Sequence, residues 1–146
     1  MARYSAGART SAGSTTLPII SLYAAAAVDG HIREIGVTNT TVTAVALKLI
    51  RLTSTGTQGA ALTETSHDPA GAASSCQAFN THSANPTLGG DLGYNVTLGA
   101  AIGSGVIWTF GGDLGLMIPT GVANGLGVIV ATGTGQICDA WIVWEE

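Results

Sequence analysis

Charge is what this 146-residue sequence has least of: Asp, Glu, Lys and Arg make up 10% of it, against roughly 25% in an ordinary soluble domain. Lysine occurs once, at Lys48, and aromatic residues are 5%. Scarce Lys and Glu exclude a coiled coil or helical bundle, which needs them repeated at a period of about 3.6. A chain that is 46% apolar with a net charge of −4 does not stay disordered for want of a core. No uncharged apolar run approaches the ~18 residues of a membrane-spanning helix. What is plentiful is Gly, Ala and Thr, 62 residues of the 146. The class that remains is a single Gly/Thr-rich β domain with little charge to cover its surface.

The charge is unevenly placed. Residues 1–16 carry Arg3 and Arg9 and no acid, whereas 17–146 set Arg33, Lys48 and Arg51 against nine acids. A mildly acidic body lacks the clustered Lys and Arg that bind phosphates, so no nucleic-acid partner is expected. Residues 1–16, with Tyr4 as their one aromatic, read as a flexible arm that orders on binding a partner. Residues 17–146 then form the domain. The first apolar stretch starts at Leu17 and is broken by Pro18 and Ser21, so no signal peptide is expected. Cys76 and Cys138 read as small, half-buried thiols in strands.

From Thr16 onward, short β-branched runs alternate with Gly, Asn and Asp. Strands are expected at 17–23, 31–38, 43–53, 60–66, 75–82, 92–98, 105–110, 115–119, 126–131 and 136–144. The run 24–27 is four alanines, too short to offset helix nucleation. With no amphipathic helix, this spacing argues an antiparallel sandwich or barrel. A β-sandwich of jelly-roll type is preferred, because two four-stranded sheets fit ~130 residues. Segments 43–53 and 136–144 are apolar on both faces, which fits one face on the core and the other on a neighbouring subunit. Burial of both faces within one domain fits as well. Gly89-Gly90-Asp91-Leu92-Gly93 recurs as Gly111-Gly112-Asp113-Leu114-Gly115, which reads as one turn–strand unit used twice.

Motifs for chemistry do not assemble. Asp91 and Asp113 lack the surrounding acids of a calcium loop and read as turn formers. His31, His67, His82, Cys76 and Cys138 lack zinc-ligand spacing, and His67-Asp68 has no nucleophile elbow to serve. Gly133-Thr134-Gly135 lacks the lysine of a phosphate loop. No enzyme, cofactor, metal or small-molecule substrate is expected. Trp108, Trp141 and Trp144 read as core or subunit-interface residues, with a sugar-stacking platform as the alternative.

Four stretches carry a resemblance. They are Met1-Ala2-Arg3-Tyr4-Ser5, Ile32–Val37 followed by Asn39-Thr40, Ala100–Trp108, and Thr132–Asp139. With the basic arm and sparse charge, they make the chain resemble the capsid decoration (cement) proteins of tailed bacteriophages. The resemblance implies a jelly-roll homotrimer on the outer surface of the virion capsid. Its arm, with Arg3, Tyr4 and Arg9, would contact the major capsid protein. The alternative is a carbohydrate- or receptor-binding β module of a phage tail or fibre.

Overall fold

A computed structural model of the chain describes residues 1–146. Its strands are β1 (Arg3–Arg9), β2 (Ile20–Tyr23), β3 (Gly30–Asn39), β4 (Val45–Leu52), β5 (Thr65–Ser66) and β6 (Gln77–Asn80). They continue with β7 (Leu88–Leu98), β8 (Gly105–Thr109), β9 (Leu116–Ile118), β10 (Gly125–Thr132) and β11 (Cys138–Glu145). All ten expected segments contain a strand, although 60–66 keeps only the two residues of β5. There is no helix. Two antiparallel sheets pack face to face as a β-sandwich. Sheet I runs β5-β1-β11-β3-β8, with β9 also on β3, and sheet II runs β6-β2-β10-β4-β7.

Alternation builds the core. Cys138, Ala140, Ile142 and Trp144 of β11 are buried, while Asp139, Trp141, Val143 and Glu145 between them are partly exposed. Val45, Leu47 and Leu49 of β4 meet Leu126, Val128 and Val130 of β10 in the same cluster. The other face of β4 is not left for a neighbour. Ile50 and Leu52 join Tyr23 and Ile129 in a second cluster, against which Phe79 and Leu88 pack. Tyr23 Oη donates to the Ser54 carbonyl, and His82 Nε2 meets Ser21 Oγ at 2.9 Å. The two apolar faces of β4 are therefore both covered by its own chain.

The N-terminus corrects the reading of residues 1–16 as a flexible arm. Arg3–Arg9 is β1, paired along its whole length with β11 from Arg3↔Glu145 to Arg9↔Asp139. Tyr4 and Ala6 are buried, and the Tyr4 ring stacks on Trp144 at 5.9 Å between centroids. Residues beyond the strand are fixed too: Thr10 N–H donates to the Cys138 carbonyl, and Val130 N–H to that of Ser14. The boundary at residue 16 has no counterpart, and the sandwich includes the N-terminus. A period of two is present in Tyr4, Ala6 and Ala8, but it is written in small residues that hydropathy does not register.

The repeated Gly-Gly-Asp-Leu-Gly copies are not equivalent. The first lies inside β7, where the pairing with β4 shifts register around Ile50↔Asp91. The second is the connection between β8 and β9. Gly115 is required there: its φ is +55°, and a Cβ would lie 2.4 Å from the Ile32 carbonyl oxygen.

Candidate functional site

The segment Leu88–Met117 carries Asp91 and Asp113 and no basic residue. Leu98 and Phe110 are its only buried residues. It supplies β7, the edge of sheet II, and β8, the edge of sheet I. The two edges approach on one side of the sandwich, where Tyr94 meets Phe110 edge to face at 5.4 Å. Along this segment Tyr94, Ile102, Ile107, Leu114 and Met117 are exposed. Strand β8, Gly-Val-Ile-Trp-Thr, has none of the charge, proline or bulge that usually blunts an edge. The opposite edges end in β5 and β6, of two and four residues, and short edge strands offer little to pair with. The open side of this sandwich is the β7–β8 side.

Two features flank that side. One is the loop 111–115, whose backbone is held by side chains beneath it. Arg33 Nη1 donates to the Gly112 carbonyl at 2.5 Å and Nη2 to that of Asp113 at 2.9 Å. His31 Nδ1 donates to the Leu114 carbonyl at 2.9 Å. The other is a cleft of about 440 Å³ at the end of sheet II, lined by Arg51, Thr53, Gly90, Met117, Pro119 and Asn124 among others. Arg51 donates to the Met117 carbonyl and so ties sheet II to β9 of sheet I.

The residues expected to contact a capsid through an arm are engaged within the chain, so no mobile arm presents them. Arg3 bonds Glu145 Oε1 at 2.5 and 2.9 Å, and Arg33 holds Glu145 Oε2. The Arg3 hydrogen bond, joined by Arg33, keeps the Glu145 carboxyl below its ordinary range. Arg9 forks onto Asp139 at 2.8 and 3.0 Å and lowers that carboxyl likewise. Tyr4 is core.

The three tryptophans form no shared exposed platform. Trp144 is fully buried. Trp108 packs from β8 against the main core. Trp141 lies on the outer face of sheet I, flat over Gly36, and its Nε1 donates to Glu34 at 2.6 Å. Ile107 follows in the same cross-strand row, Gly7–Trp141–Gly36–Ile107.

The remaining candidates are held in structural roles. Asp91, expected to form a turn, lies instead at the bulge of β7, where it accepts from Gly93 N–H and pairs with Lys48 at 2.9 Å. Asp68 Oδ1 accepts from Ala70 N–H, closing the turn after His67. Burial pushes the Cys76 thiol up to about 12, helped by Glu146, and the Cys138 thiol up to about 11. No three His, Cys, Asp or Glu side chains gather as metal ligands. Comparison of the chain with protein-family models, curated proteins and solved structures finds no match. Sequence reasoning passed over Arg51 and the second Gly-Gly-Asp loop as parts of a site. The signal was there in β4, where Arg51 shares a face with Val45, Leu47 and Leu49.

Proposed function

We propose that the protein is a structural virion component that decorates a phage capsid as a homotrimer on its outer surface and stabilises the shell. The observation that carries this reading is the open β7–β8 side. It is a nearly uncharged stretch of about thirty residues, exposed in the single chain and rich in unpaired apolar side chains. Exposed apolar side chains along an unpaired sheet edge mark interfaces. Closed cyclic symmetry covers it without leaving an open edge, and three-fold symmetry matches the local axes of an icosahedral shell.

The strand order supports the jelly-roll assignment within that reading. Counting only β1, β2, β3, β4, β7, β8, β10 and β11, the sheets run 1-8-3-6 and 2-7-4-5. Such nested double sheets recur in viral capsid domains and also in lectins. The tail-module alternative loses its three-tryptophan platform, because Trp144 is buried, Trp108 packs on the core and Trp141 alone lies on an outer face. With β1 built into sheet I, contact with the major capsid protein falls to the surface of the sandwich itself. The role involves no reaction and no cofactor.

The test is to add purified protein to shells of the virus that encodes it and sediment the mixture. Saturable binding that raises the temperature at which shells rupture supports the proposal. Failure to co-sediment, or binding without any gain in shell stability, contradicts it.

A further inference from the structure

Nearly every charged side chain in this chain has a partner within the chain. Of the five Lys and Arg residues, Arg3 and Arg33 share Glu145, Arg9 holds Asp139, and Lys48 holds Asp91. Arg51 has no carboxylate. Its one hydrogen bond goes to the Met117 carbonyl, and its remaining donors line the cleft. Partial burial of that guanidinium makes an unpaired charge costly, so a carboxylate arriving there gains more than at an open surface.

The acids show the mirror image. Asp29 lies 3.5 Å from His31, Glu34 accepts from Trp141, Glu64 from Gln77 and Asp68 from Ala70. Glu146 accepts from Ser74 Oγ and from the backbone of Ser75 and Cys76. The Asp113 carboxylate has no partner at all. Its loop is exposed from Gly111 to Leu114, yet Arg33 and His31 fix the three consecutive carbonyls of Gly112, Asp113 and Leu114. The backbone is anchored while an acidic and a leucine side chain are presented to solvent. A loop ordered in advance loses little entropy on docking. Because it is anchored, it does not swing across to the Arg51 of its own chain.

We propose that Asp113 and Leu114 of one copy dock into the Arg51 cleft of a neighbouring copy, with the Asp113 carboxylate on the Arg51 guanidinium. The match is chemical on both counts: acid against the one free base, and Leu114 against Met117 and Pro119. The glycines frame it. Gly90 forms part of the cleft wall, and Gly111 and Gly112 let the loop stand clear of the body, with nothing within 4 Å of a Cβ at either. In the three-fold oligomer proposed above, loop and cleft meet heterologously and the contact repeats around the ring, whereas a reciprocal exchange would close a two-fold dimer. This inference rests on the oligomer proposed above and names the contact that builds it.

The test is light scattering coupled to size-exclusion chromatography on the full chain over a concentration series. Arg51→Glu and Asp113→Arg are each expected to weaken association by on the order of 100-fold. The double variant, which restores opposite charges across every interface, is expected to recover the oligomer. Asp113→Asn lies on an exposed loop, so its effect on mass is read free of any folding defect, with circular dichroism as the check. If the single variants keep the wild-type mass, or the double variant fails to rescue them, the Asp113–Arg51 contact is wrong while the oligomer stands. If Arg51→Glu keeps its mass but no longer binds shells, the cleft takes a capsid carboxylate and this contact is wrong. If the wild-type chain runs at its 14.6 kDa monomer mass at every concentration, the oligomer itself falls.

Discussion

Truncating Tyr4 to alanine tests whether the N-terminal residues are part of the fold. The side chain is 2% exposed, its ring stacks on Trp144, and its Oη donates to the Ala72 carbonyl at 3.1 Å. Trp144 is itself fully buried, so the space left beside it cannot refill with water at little cost. Removing an aromatic ring from a closed core of a domain this size lowers Tm by on the order of 10 °C. Tyr4→Phe keeps the ring and loses one hydrogen bond, so its Tm is expected to fall by only about 2–4 °C. Deleting residues 2–9 strips β11 and β5 of their shared partner and is expected to abolish the cooperative transition. Differential scanning calorimetry at one fixed protein concentration gives all three values, since association makes Tm depend on concentration. A Tyr4→Ala protein melting within about 2 °C of wild type, or a deletion variant that still folds, would refute the placement of β1.

Other expectations follow from single sites. A Cβ at Gly36 would lie 1.9 Å from Trp141 Cζ2, so Gly36→Ala should lift the indole off the sheet. That should cost about 1–3 kcal/mol and red-shift tryptophan emission; unchanged emission and stability would show that the ring does not rest there. Burial holds the His82 imidazole below its ordinary value, and its Nδ1 has no partner. The unfolded chain takes up that proton near pH 6.5 and the folded one only lower, so stability is complete above about pH 6.5 and declines as pH falls. Urea midpoints should show this slope, and His82→Gln should flatten it. With thiols pushed up to about 12 and about 11, Cys76 and Cys138 should resist a disulfide reagent at mildly alkaline pH until the protein unfolds. Rapid labelling of the native protein would contradict their burial.

The strands were legible wherever large β-branched residues alternate or run together, as in β3, β4, β10 and β11. Strand β1 was not, because its inward positions include Ala6 and Ala8, and its outward arginines resemble a tether. What makes it a strand is the register with β11, including Arg3 opposite Glu145 and Arg9 opposite Asp139. That complementarity spans 142 and 130 residues of chain and has no local signature. The two-sided character of β4 was visible, but not that Tyr23, Phe79 and Leu88 cover its second face. Equally, the two Gly-Gly-Asp-Leu-Gly copies read alike, and only the fold separates a bulged strand from a presented loop. Trp141 and Trp144 fall on opposite faces of β11 by alternation alone, which was legible, whereas the packing of Trp108 against the main core depends on the pairing of β8 with β3. The open β7–β8 side had no signal in composition, since residues 114–138 carry no charge at all and yet include the buried strand β10.

Cryo-electron microscopy of intact virions tests the central claim most directly. The account predicts density the size of this β-sandwich on the outer surface of the head, arranged in threes, with the β7–β8 sides turned toward one another. Density confined to the tail or its fibres, with a bare head shell, would contradict it.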